Sequence, residues 1–240
     1  MIKVTFDIDY HGLKFDYTAP ASKMMLYLQE AAILHSEYAG LTMDWFYETK
    51  RGWVIRDWDI CFLKPVKWAD KLTVETYPAM FKGIMAHRGF NAYNSAGEEV
   101  LRASSRWVFT DRLKLKPVRV DEEMQVKYGE LKALPVETDF KIRPLGGEEE
   151  VSSSIIVARH DTDTNQHANN ISYLTWVTDL LTEDEYNGNR ISRLKIAYLK
   201  QCVMSDKVDI KLIKKDNCRY ATITGEKGLL CEIYFELEKI

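Results

Sequence analysis

From Asp163 to Asn170 the chain reads Asp-Thr-Asn-Gln-His-Ala-Asn-Asn, and no other stretch is so dense in groups able to move a proton or polarise a carbonyl. Asp163, Asn165 and His167 alternate with Thr164 and Gln166. Alternate residues of an extended backbone share a face, which predicts that a carboxylate, an amide and an imidazole converge. Ile171, Leu174, Thr178 and Leu181 follow at helical spacing. The cluster is thus expected where an extended segment enters a helix and backbone N–H groups can meet an oxygen. An imidazole suits proton transfer; the amide both donates and accepts. The same residues also read as a helix cap, since Asp and Asn favour N-caps and turns.

The elements around the cluster recur. Asp59 to Lys71 and Lys195 to Lys207 match in register, with Ile, Leu-Lys and Asp-Lys at the same offsets. In each half an amphipathic helix comes first. One is predicted over Ser22–Tyr38, with Met24, Met25, Leu28, Ala31, Ala32 and His35 along a stripe, the other over Ala168–Leu181. A strand precedes each helix, near Ile2–Leu13 and Val151–Ala158. After each come strand-like runs: Trp53–Leu63, Leu72–Tyr77, Met85–Tyr93 and Glu99–Thr110, then Ile191–Leu199, Val208–Ile213, Tyr220–Thr224 and Leu229–Leu237. The fold class expected is α+β: a long helix lying on a curved antiparallel sheet, twice. Residues 1–130 form the first unit, 131–150 a polar, Gly- and Pro-punctuated linker, and 151–240 the second. Where the second half has Asp163 to His167, the first has Asp16-Tyr17-Thr18-Ala19-Pro20, with no Asn or His. The second half is therefore expected to carry chemistry and the first to supply a binding wall. Met24, Met25 and Leu28 are candidates to line that wall, and equally ordinary core.

The 240 residues, 46% of them hydrophobic, suffice for a substantial core. A net charge of −3 argues against general nucleic-acid binding. No apolar run is long enough to span a bilayer, and the N-terminus reads as no secretory signal, so a cytoplasmic location is expected. Cys61, Cys202, Cys218 and Cys231 contain no Cys-x-x-Cys pair, and His11, His35, His87 and His160 show no ligand spacing, so neither a metal nor a cofactor is expected.

The chain resembles the acyl-acyl carrier protein thioesterases of plants and bacteria, which are double hotdog proteins. Asn165-Gln166-His167-Ala168-Asn169-Asn170, followed by Tyr173 and Trp176, is similar to that family's Asn-Gln-His-Val-Asn-Asn signature, and Asp163 matches its upstream Asp. Ala197 to Cys202 resembles its Glu-Tyr-Arg-Arg-Glu-Cys segment. Trp53-Val54, Pro65 to Asp70 and Ser105 to Val108 fit its first half in order. The resemblance implies two tandem hotdog units that hydrolyse a fatty acyl thioester on a phosphopantetheine arm. It also implies catalytic roles for Asp163, Asn165 and His167, with Gln201 and Cys202 at the matching later positions.

Gln201 departs from the plant pattern, which has Glu there, and an amide cannot take a proton. It can hold a water while Asp163 or His167 serves as base. The alternative is covalent, with Cys202 as nucleophile. Arg112, Lys114, Lys116 and Arg119 form a compact basic run suited to an acidic carrier protein, or to plain solvation. Rival readings are an acyl-CoA thioesterase, a hotdog dehydratase or hydratase, and an acyl-binding sensor. Monomer and homodimer are equally compatible with the pattern.

Overall fold

The computed structural model describes every residue except Leu115 and Glu148. The first half contains β1 (Ile2–Asp7), α1 (Ala21–Tyr38), α2 (Met43–Thr49), β2 (Arg51–Phe62), β3 (Lys71–Lys82), β4 (Met85–Tyr93), β5 (Glu99–Asp111), the short β6 (Lys116–Pro117) and α3 (Glu122–Lys127). The second contains β7 (Glu149–Ile156), α4 (Asn170–Thr178), α5 (Glu183–Asn187), β8 (Asn189–Tyr198), β9 (Lys207–Lys215), β10 (Cys218–Gly225) and β11 (Gly228–Lys239). One antiparallel sheet joins the halves in the order β1-β3-β4-β5-β2-β8-β11-β10-β9-β7, with β6 paired to β5. The path runs outward from β2 and from β8 in the same succession, so the class is α+β and the repeat is carried by the topology.

Each helix forms for a local reason and stays for a packing one. Pro20 sits at the N-cap of α1 with φ −67°, a value its ring enforces. The stripe Met24, Met25, Leu28, Ala31, Ala32 and His35 is buried. Asn169 caps α4, its Oδ1 accepting from the Ile171 N–H at 3.0 Å. The inner faces of the sheet and both helices share one apolar core, with Met25, Leu28, Phe90, Leu174, Leu194 and Phe235 at its centre. Burying a side chain such as Leu28 contributes about 1.5–3 kcal/mol.

The outer face of the seam between β2 and β8 is charged. Asp57 lies opposite Ala197, and Asp59 opposite Lys195; both aspartates are almost fully buried. Arg106 Nε donates to Asp57 at 2.6 Å and Arg56 Nη1 at 3.2 Å. Arg193 approaches Asp59 to 2.6 Å and Lys195 to 3.5 Å, as ion pairs in a geometry that makes no hydrogen bond. Burial pushes the Asp57 carboxyl up, against the pull of Arg106 and Arg56.

The segment from Val136 to Arg143 lies over this face. Val136 exchanges hydrogen bonds with Ser104 Oγ at 2.8 and 3.2 Å. The Phe140 ring stacks on the Arg106 guanidinium, and Lys195 Nζ donates to the Lys141 carbonyl at 3.3 Å. Beneath the segment β4 comes so close that a Cβ on Gly89 would meet the Tyr77 ring at 2.5 Å and Pro135 at 2.9 Å. The expected 131–150 linker is thus without helix or strand up to Gly147 but is packed against the sheet; its Glu148 lies outside the described residues, and Glu149–Glu150 already belong to β7.

All ten expected runs are strands, most of them longer than expected. Two expectations need correction. The second helix spans Asn170–Thr178 rather than reaching Leu181, and the short helices α2, α3 and α5 were not anticipated. Each is a brief helix with its own cap: Thr42, Asp121 and Thr182 accept from the third following N–H.

Arg106 supplies the shorter of the two ion pairs on the buried Asp57, and Arg56 remains when it is removed. Arg106→Met should therefore cost part of the about 3–5 kcal/mol expected when a buried charge loses its partner. The double variant Asp57→Leu/Arg106→Met should recover most of it. Urea unfolding of the three proteins checks this; an Arg106→Met as stable as wild type would refute the role given to the pair.

Candidate active site

Asp163 and Asn165 come together at a turn rather than along an extended strand, and His167 lines the same cavity. Residues 163–166 form a turn closed by Asp163 N–H donating to the His167 carbonyl at 2.8 Å and Gln166 N–H to the Asp163 carbonyl at 3.0 Å. Gln166 takes a left-handed φ of 64°. The cause is Asp163 itself, whose Oδ1 accepts from the backbone N–H of Asn165 (2.8 Å) and of His167 (3.3 Å). That is the local bonding by which Asp favours turns over strands. Asp163 Oδ2 accepts from Asn165 Nδ2 at 3.1 Å.

Arg112, at the end of β5, donates to Asn165 Oδ1. Both ends of the Asn165 amide are thereby held, and one of its two Nδ2 hydrogens stays unengaged. His167 is locked by its backbone, in a bridge to Val203, and by Ala168 N–H donating to the Cys202 carbonyl at 2.9 Å.

Asp163, Asn165, His167 and Gln201 line one cavity of about 780 Å³, whose walls come from both halves. Gln201, just after β8, is exposed there, and among the described residues its side chain has no hydrogen-bond partner. From the first half come Ile55, Arg56, Trp107 and, on α1, Leu26, Gln29, Ile33 and Ser36. At a bulge, Arg56 breaks the register of β2 against β5.

Cys202 stands apart. It is 1% exposed, off the cavity wall, and its Sγ lies 3.2 Å from the Tyr173 hydroxyl. Burial pushes its thiol pKa up, away from the reactive thiolate. Met24, Met25 and Leu28 are likewise buried in the core rather than on this wall. Their stripe faces the sheet, and the adjoining face of α1 meets the cavity. Of the basic run, Arg112 reaches the site, while Lys114, Lys116 and Arg119 are exposed beyond it; its Leu115 lies outside the described residues. Among the described residues, no three His, Cys, Asp or Glu side chains are gathered as a metal would require.

A second polar group closes another part of the cavity. Arg88 Nη1 contacts His35 Nδ1 at 2.7 Å and Thr76 Oγ1 at 3.1 Å. Nearby, the Tyr128 hydroxyl accepts from Trp53 Nε1 at 2.8 Å and lies 2.9 Å from Ser36 Oγ. His35 was expected as a packed helix residue; Arg88 and Tyr128 carried no signal, because nothing in their spacing connects them to α1.

The first half repeats this turn with other side chains. Lys14 N–H donates to the Thr18 carbonyl, Tyr17 N–H to Lys14, and Ala19 N–H to Val66, at 2.8, 2.9 and 2.8 Å. Tyr17 has a φ of 64°. Lys14, Asp16 and Thr18 thus occupy the places of Asp163, Asn165 and His167, two residues earlier than the sequence alignment of the halves set them. The hollow beside them is about 60 Å³.

The class is α+β, with one shared sheet, two helices on its inner face and a polar turn lining a cavity built by both halves. The chain belongs to the acyl-ACP thioesterase family. The family's N-terminal domain matches residues 1–128 and its C-terminal domain residues 146–229. A chloroplastic palmitoyl-acyl carrier protein thioesterase of Cuphea hookeriana is 28% identical over 217 residues, 84% of this chain and 52% of that protein. The chloroplastic oleoyl-acyl carrier protein thioesterase 2 of Arabidopsis thaliana is 24% identical over 94% of this chain and 66% of its own length. The chain spans about half the length of the curated relatives it matches first. Two solved structures share the fold. An acyl-ACP thioesterase from Bacteroides thetaiotaomicron superposes with a TM-score of 0.88 at 19% identity, covering 98% of this chain and 97% of its own. The 12:0-ACP thioesterase from Umbellularia californica gives 0.86 at 18%, covering 100% and 97%.

Burial first, and then the Arg88 charge, draw the His35 pKa down to about 3. The unfolded chain protonates this histidine near pH 6.5 and the folded one does not. The stabilisation is therefore whole above about pH 6.5 and declines as pH falls toward about 3. The slope approaches 1.4 kcal/mol per pH unit for one proton. Urea midpoints of wild type and His35→Leu at pH 7, 6, 5 and 4 test this; the variant should show the shallower decline, and parallel curves would refute it.

Proposed function

We propose that this protein hydrolyses a fatty acyl thioester carried on acyl carrier protein, releasing the free acid for lipid metabolism. The observation that carries the reading is the turn in which Asp163 and Arg112 hold the Asn165 amide at the mouth of a cavity large enough for an acyl chain. Family membership and the names of the relatives support the carrier-linked substrate. We assign the architecture to two tandem hotdog units, residues 1–130 and 151–240, with the cavity between them as the acyl channel. Among the described residues no helix is long and apolar enough to cross a membrane.

In this mechanism the free Asn165 Nδ2–H donates to the thioester oxygen as negative charge develops there. Gln201 holds the attacking water. His167 takes a proton from that water as its oxygen bonds to the carbonyl carbon. The tetrahedral species then breaks the carbon–sulfur bond, and His167 returns the proton to the departing sulfur. Asp163, already accepting three hydrogen bonds, serves to orient Asn165 and the turn rather than as the base. Cys202 takes no covalent part, because it is covered and its thiol is held protonated.

Release of free thiol from acyl carrier protein, acyl-CoA and crotonyl thioesters, with water addition to crotonyl followed in parallel, separates this reading from its rivals. Fast release from the carrier substrate is expected, and exclusive turnover of acyl-CoA or hydration of crotonyl would overturn it. Within the site, Gln201→Ala should lose about ten- to a thousandfold in kcat. Gln201→Glu and Cys202→Ser should remain active. An acyl group trapped on Cys202 would overturn direct attack by water.

The exposed charges of Lys114, Lys116 and Arg119 begin just beyond Arg112, beside the mouth, as a docking surface for an acidic carrier requires. Lys114→Glu with Arg119→Glu should raise KM for the carrier substrate several-fold, and more at low salt. It should leave an acyl-pantetheine substrate unaffected. Equal losses on both substrates would remove the run from docking.

A further inference from the structure

Arg88 lies on the inner face of β4 and lines the cavity, yet only 8% of it is exposed. Its hydrogen-bond partners among the described residues are His35 and Thr76, both without negative charge, and its guanidinium lies 5.5 Å from the Tyr128 ring. A guanidinium carries five N–H donors, and here a single nitrogen is engaged. Burial draws its pKa down to about 10, so it is charged at neutral pH. A buried charge without an anion is costly unless something satisfies it.

Gln29, on the face of α1 that meets the same cavity, has its buried Oε1 without a hydrogen-bond partner among the described residues; an amide oxygen only accepts, so a hydroxyl could satisfy it and a carboxylate could not. From β8, which leads to Gln201, to β4 the sheet order is β8-β2-β5-β4. Arg88 lies level with Ile196 through Ser105 and Trp58, about 14 Å across the sheet from β8 by three strand spacings and well short of Gln201 along the strand direction. That separation matches a chain running away from the thioester, and a hydrocarbon end there would strip water from a cation and return nothing.

We infer that the channel selects acyl chains bearing an oxygen function far from the thioester, a hydroxyl or a carboxylate that accepts from Arg88. This rests on the reading of the cavity as an acyl channel. Arg88 is then a specificity residue: it touches the distal end of the substrate and takes no part in bond cleavage. His35 and Thr76 are positioning residues that hold its Nη1.

The test compares pantetheine thioesters of unsubstituted, ω-hydroxy and ω-carboxy chains from octanoyl to hexadecanoyl. At the best-fitting length, wild type should turn over a hydroxy or carboxy chain with kcat/KM about tenfold or more above the plain chain, as expected for a site whose buried polar groups are otherwise left unpaired. Preference for the carboxy over the hydroxy chain assigns the site to anions, and the reverse to neutral acceptors. In Arg88→Met the preference should invert, read as the ratio of the two substrates within the one variant. Plain chains handled at least as well by wild type at every length would overturn the inference, and that result needs no variant to fold. An unchanged ratio in Arg88→Met would overturn it too. If wild type hydrolyses no thioester at all, the catalytic reading fails separately. Displacement of a fluorescent fatty acid then still decides the binding claim: dodecanedioic acid should compete better than dodecanoic acid in wild type and not in Arg88→Met, and equal competition would refute it.

Discussion

The pairing of β2 with β8 is the constraint on which the rest depends. It fuses two sheets into one and sets how far each helix lies from the opposite half. It also fixes the cavity, because the bulge at Arg56 and the segment after Tyr198 that carries Gln201 flank the same junction. The seam is held on its outer face by Asp57 and Asp59, whose compensating cations come from β5 of one half and β8 of the other. Buried ion pairs are a weak source of stability compared with apolar packing, but they penalise any other register. A slip of one residue would put an aspartate on the apolar inner face. The charges thus serve the alignment on which a site assembled from two halves relies.

Duplication explains why one site is developed and its counterpart is not. Both turns have the same backbone hydrogen bonds and the same left-handed residue. All three side chains differ, and the one at the first position sets the turn's surroundings. Asp163 turns its carboxylate back onto the N–H groups of its own turn and aligns Asn165. Lys14 reaches across instead, its Nζ donating to the Asn189 carbonyl at 2.6 Å, and occupies the space beside the turn.

Much of this was legible in the residues. The strands and the two core helices follow from hydrophobic period and turn chemistry, and the dense cluster at Asp163 is the one whose members line the cavity. The means of convergence was not legible, because alternation predicts a shared face only if the backbone is extended, and an Asp that captures its own N–H groups folds it back. The wall of the cavity was misassigned for a related reason. The most apolar stripe of α1 belongs to the core, and the mixed stripe of Gln29, Ile33 and Ser36 faces the hollow. Arg112 read as a surface charge because its bond to Asn165 joins residues 53 positions apart. Short helices such as α3 have too few turns for any period to show.

The segment over the outer face has a consequence for how the sequence can drift. In β9 the burial alternates residue by residue, as a sheet with one wet face requires, whereas in β4 nearly every position is at least partly covered. Val136, Phe140 and Pro135 press on Ser104, Arg106 and Gly89 from the side where β9 meets solvent. Substitutions on the outer face of the first half are thus constrained almost as tightly as those in the core, while half the positions of β9 are free to change. Two halves of one repeated pattern will then diverge at unequal rates, and the first half is the one held the more still.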